Sequence, residues 1–101
     1  MPDIHLMREH TLGLDAARRV ANAWADQLRA EFSMDCRFDC GALTDMLHFS
    51  RSGVNGTLQV SASSFELDVH LGFLLGAYRD RIEHEVSGKL DELLRSAVSV
   101  Q

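Results

Sequence analysis

Three histidines occupy positions from which a site could be built on strands. His5, His48 and His70 each lie between two apolar residues, and Glu66 and Asp68 precede His70 at the same alternation. Imidazole with carboxylates can bind a divalent metal or move protons near neutral pH. That chemistry needs the three strands adjacent and in register, which spacing alone does not supply. A solvated polar sheet face accounts for the same residues and is the simpler reading. Cys36 and Cys40 are a second candidate pair. Four residues apart on a strand, they are separated by about 13 Å at about 3.3 Å per residue. Disulfide-bonded Cα atoms lie within about 7 Å. Two small buried core residues are therefore expected, not a disulfide or a zinc pair. No nucleophile elbow, phosphate-binding loop or dinucleotide fingerprint occurs. No catalytic residue, metal or cofactor is assigned, and no enzymatic activity is expected.

The elements that would position these residues follow from apolar periodicity. Asp3 to Glu9 reads as a strand. Thr11–Asp15 bends into a helix running to about Phe32, with Ala17, Val20, Ala21, Trp24, Leu28 and Phe32 as its stripe. Asp35–Cys40 alternates with Cys36, Phe38 and Cys40 on one face. Asp45–Arg51 follows, with Leu47 and Phe49 on one face. Next comes a turn within Ser52–Gly56, closed at Gly53-Val54 or at Asn55-Gly56. Thr57–Ala62 carries Leu58, Val60 and Ala62. The parity then flips to Phe65, Leu67, Val69 and Leu71, which one straight strand cannot do. A turn at Ser63-Ser64, pairing Ala62 with Phe65, Val60 with Leu67 and Leu58 with Val69, keeps these residues on one face.

A long helix from about Phe73 to Ser96 closes the chain, striped by Leu75, Tyr78, Ile82, Val86, Leu90, Leu93 and Ala97. Its first turn is apolar on more than one side. The expectation is that Phe73, Leu74 and Ala77 are wedged between sheet and helix; the other reading is an exposed patch for a partner. The order β-α-β-β-β-β-α implies an α+β fold. It is a two-layer sandwich, with a mainly antiparallel sheet of four to five strands and two helices on its apolar face.

The 101 residues suit a single domain spanning 1–101, with 46% hydrophobic and 25% charged residues. A net charge of −5 without any basic block argues against nucleic acid. No apolar run reaches a membrane span and none near the start suits a signal peptide, so a cytoplasmic location is expected.

Several stretches together resemble a known family. They are Asp3-Ile4-His5, Arg8-Glu9-His10 and Leu12-Gly13-Leu14, then Phe49 through Leu58, then Leu71-Gly72-Phe73-Leu74-Leu75-Gly76-Ala77. The pattern is similar to the polyhydroxyalkanoic acid system proteins, small bacterial proteins associated with storage-polyester granules. The resemblance covers nearly the whole chain, and none of its motifs is catalytic. It implies a cytoplasmic, granule-associated protein of accessory or regulatory role, whose partner is the granule or a granule protein. Phe73, Leu74 and Ala77 are then the candidate surface. The alternative is a small carrier or sensor of an apolar acyl ligand, held between the helices and a sheet lined by Phe38, Leu47, Phe49, Leu58, Phe65 and Leu67. A sheet with free edges can also pair with itself in a homodimer.

Overall fold

The computed structural model describes residues 3–99. The chain runs β1 (Ile4–Glu9), α1 (Leu14–Phe32), β2 (Asp35–Cys40), β3 (Thr44–Arg51), β4 (Val54–Ser61) and β5 (Ser64–Leu71). A 3₁₀ helix (Phe73–Tyr78) and α2 (Arg79–Ser99) follow. The expected α+β order is present. All five strands join one antiparallel sheet in the order β1-β5-β4-β3-β2. Strands β2 to β5 are a meander, and β1 returns to the outer side of β5.

Strand alternation sorts the side chains into rows. Leu6, Leu67, Leu58, Leu47 and Phe38 lie directly across from one another, one from each strand. Leu47, Leu58 and Leu67 in that row are fully buried. A second row carries Ile4, Val69, Gly56, Phe49 and Cys36. Trp24 of α1 stands edge-on to Phe49, with ring centroids 5.3 Å apart, and its Nε1 donates to the Val86 carbonyl of α2 at 3.3 Å. One indole thus holds the two helices and the sheet together, an arrangement that uses both its apolar body and its polar tip. The stripe of α1 is buried as expected from Ala17 to Leu28, while along α2 Val86 and Leu90 form the buried centre.

The third row runs Arg8, Phe65, Val60, Asp45 and Cys40. Charges on an inward face require partners, and each helix supplies one. Arg8 Nε donates to Asp91 of α2 at 2.7 Å. Asp45, only 3% exposed, accepts from Arg18 of α1 at 2.7 and 3.0 Å and from the Gly41 amide at 3.3 Å.

The structure corrects the sequence reading in four places. The β4–β5 turn lies at Ala62-Ser63, one residue earlier than expected. The pairs are therefore Val60–Phe65, Leu58–Leu67 and Gly56–Val69. The Ser61 hydroxyl selects this corner by accepting from the Ser64 amide at 3.0 Å, a local side-chain closure that apolar parity cannot reveal. The β3–β4 turn lies at Ser52-Gly53, where Gly53 has φ 86°, so Asn55 and Gly56 belong to β4. The closing helix opens as a 3₁₀ segment. Cys36 is half-buried and Cys40 exposed, not both in the core, because β2 is an edge strand and Cys40 lies at its end.

Candidate functional site

Gly53 and Gly72 bring two distant turns into contact. The Gly72 amide donates to the Gly53 carbonyl at 2.7 Å. A Cβ on Gly72 would lie 3.3 Å from Gly53 Cα, and one on Gly53 would lie 3.1 Å from Leu75 Cδ1. Asp3 fastens the same corner, its amide donating to the Val69 carbonyl at 2.8 Å and its carboxylate accepting from the Leu71 amide at 2.7 Å. Residues of three separate stretches thereby fix where the chain leaves β5.

From that fixed point the 3₁₀ helix projects. With three residues per turn, i and i+3 eclipse. Leu75 and Tyr78 share one edge, Leu74 and Ala77 a second, and Phe73 and Gly76 the third. Leu75 packs against the core. The other two edges face outward, so Phe73 is 97% exposed and Leu74 82%. Tyr78, one turn beyond Leu75 on its edge, does not reach the core and is 56% exposed. Ala77 is exposed as well. The expected wedge between sheet and helix is not formed, because the tight turn seats Leu75 alone. The outcome is an apolar knob on a braced stem.

Beside the knob lies a groove of ≈ 520 Å³ between the end of α1 and the start of α2. Phe32, Met34, Leu75, Tyr78, Ile82 and Val86 give it an apolar floor, and Glu31, Arg51, Arg81 and Glu85 edge it. Arg51 ties its wall by donating to the Phe32 carbonyl at 2.7 Å. Lys89 meets Glu31 at 2.7 Å. The residues expected to line an acyl pocket do not enclose one: Leu47, Phe49, Leu58, Phe65 and Leu67 are packed in the core, and Phe38 packs against it.

The histidine face does not gather. His5 is hydrogen-bonded through Nδ1 to Asp68, with Glu66 3.7 Å from its Nε2. That bond, aided by the charges of both carboxylates and opposed by burial, raises its pKa above 6.5. His48 pairs separately with Asp39 at 3.0 Å. His5 and His48 share a cross-strand row with Asp68 and Thr57 between them, so they stand about 14 Å apart at about 4.8 Å per strand. His70 is exposed, opposite Asn55. Among the described residues no three His, Cys, Asp or Glu side chains are placed to hold a metal ion. Also among them, no helix is long and apolar enough to cross a membrane.

The Asp45–Arg18 and Arg8–Asp91 clamps and the groove were not anticipated. The clamps had a signal, since Asp45 shares the parity of Leu47 and Phe49, and Arg8 that of Ile4 and Leu6. The groove had none, because it forms between the ends of elements far apart in sequence.

Residues 4–94 match the family described as "Putative polyhydroxyalkanoic acid system protein". The chain belongs to this family. The matched span includes the Gly53–Gly72 corner, the knob and the groove. The family description ties the chain to the polyhydroxyalkanoate system without specifying an activity. Comparison with curated proteins finds no match. Comparison with solved structures finds none either.

Proposed function

We propose that this protein is a non-enzymatic, cytoplasmic accessory or regulatory factor of storage-polyester metabolism, docking on the granule surface through Phe73, Leu74 and Ala77. The observation that carries the reading is the near-complete exposure of Phe73 and Leu74 on a stem whose own backbone is fixed by the Gly53–Gly72 and Asp3–Leu71 hydrogen bonds. A granule offers an apolar polymer surface. Moving a large apolar side chain from water into such a phase is worth about 1.5–3 kcal/mol. A pre-fixed stem adds little ordering cost. In a polyester-accumulating bacterium, the tagged protein is expected to sediment with washed granules. The Phe73→Ser/Leu74→Ser variant is expected to remain in the supernatant with unchanged thermal stability. Equal recovery of a folded double variant on granules would remove these residues from the docking surface.

A second reading is supported by the groove, whose ≈ 520 Å³ falls within the range of small-molecule sites. An acyl chain would lie along Phe32, Leu75 and Ile82. This reading expects fatty acids or acyl thioesters to raise the melting temperature, and Ile82→Asp to abolish the rise. No shift with any chain length, and no lipid retained in native mass spectrometry, would refute it.

A further inference from the structure

We infer that β2 is a self-complementary edge through which two copies of this chain pair, joining two five-stranded sheets into one. Among the described residues, strand β2 ends the sheet, and β3 is its only strand partner. Its backbone has little cover. Arg29 reaches the Cys36 carbonyl only at 3.4 Å, a long contact that a backbone amide can replace. The opposite edge is more engaged: Arg8 donates to the Met7 carbonyl at 3.1 Å and is held in place by Asp91.

The side chains of β2 select the partner and the register. Residues directly opposite in an antiparallel pair share a face, so a two-fold pairing of identical strands must centre on a residue. Two registers bring five residues of Asp35–Cys40 into pairs. Centring on Arg37 sets Arg37 against its own copy and Asp35 against Asp39, like against like. Centring on Phe38 sets each Arg37 against Asp39 of the second copy, Phe38 against Phe38, and Cys36 against Cys40. Arg37 has no carboxylate at ion-pair distance among the described residues. Asp39 meets His48 through one oxygen, leaving the other for the second copy. Phe38 is half-buried at the end of the leucine row, and pairing continues that row across the interface. The two-fold axis stands perpendicular to the sheet, so both helix layers stay on the same side. The inference is independent of granule docking.

Size exclusion with light scattering tests it. The wild type is expected to be a dimer. Arg37→Asp and Asp39→Arg are each expected to weaken association by about tenfold or more, since two attractive cross-strand pairs become repulsive. The double exchange Arg37→Asp/Asp39→Arg is expected to restore the dimer, which a merely misfolded variant would not do. Oxidation with copper phenanthroline should join Cys36 to Cys40 of the second copy, as opposite Cα atoms at about 4.5–5.5 Å permit. Trypsin cuts between them after Arg37, so the linked peptides report the register. A wild type that is monomeric at its highest soluble concentration, a dimer indifferent to both charge reversals, or a Cys36–Cys36 link would each overturn the inference.

Discussion

Asp45 lies on the inward face of β3, in line with Leu47 and Phe49, and is tolerated there because Arg18 meets it with two hydrogen bonds. Those bonds hold its pKa below the ordinary carboxylate value. A depressed carboxylate contributes stability above its unfolded pKa, about 3.9, and loses it as pH falls through the folded value. Asp45→Asn should therefore lower the melting temperature at pH 7. It should also flatten the further fall between about pH 5 and 3 relative to wild type. An unchanged acid limb in thermal scans would contradict this. Two histidines offer a second test at this scale. His5 is raised by its bond to Asp68. His10 is lowered by burial, partly offset by the backbone at Ser64 and Ser61; its ring lies 4.7 Å from Phe65, and its buried Nε2 has no hydrogen-bond partner among the described residues. His5 thus adds stability below about pH 6.5 that is lost as pH rises through its folded pKa, whereas His10 adds stability above about 6.5 that is lost as pH falls. An NMR titration should place the His5 midpoint above 6.5 and the His10 midpoint below it. Coincident midpoints would refute the assignment.

Among the elements, the strands were legible because period-two alternation with Val, Leu and Phe on one face leaves few alternatives. The long helices were legible because their stripes persist over five turns. What escaped the sequence was decided by short-range chemistry at the ends of elements. The Ser61 hydroxyl moved the β4–β5 turn by one residue and the pairing by two, without changing which face is apolar. The Ser52-Gly53 corner was hidden because Gly53-Val54 and Asn55-Gly56 are equally credible turn sequences. The turn at Ser52-Gly53 places Gly53 against Gly72 and Leu75, a long-range contact that local turn signals do not carry. Gly53→Ala tests that corner. A side chain at φ 86° is strained, and in the left-handed region the cost is about 1–2 kcal/mol. Leu75 must give way as well. A melting temperature lower by about 4–8 °C per kcal/mol is expected. An unaltered melting temperature would mean that the corner does not brace the 3₁₀ stem.

At the scale of the whole molecule, Phe73, Leu74 and Ala77 are exposed, whereas the sequence favoured a wedge between sheet and helix. Phe73, Leu74 and Ala77 read as a crowded helix start because a continuous α-helix would have turned some of them inward. The 3₁₀ geometry instead seats Leu75 and presents the others to solvent. The histidines of the polar face could not be judged from spacing, since their separation depends on strand order: β5 and β4 stand between His5 and His48. Granule docking as proposed requires the exposed knob to meet storage polyester itself. The direct measurement is co-sedimentation of purified protein with protein-stripped polyester granules. The wild type should pellet with the polymer. Phe73→Ser/Leu74→Ser should bind about two to four decades more weakly, the equivalent of losing about 3–6 kcal/mol of apolar transfer, while its circular dichroism is unchanged. Wild-type protein that stays in the supernatant, or a folded double variant that pellets equally well, would contradict the account.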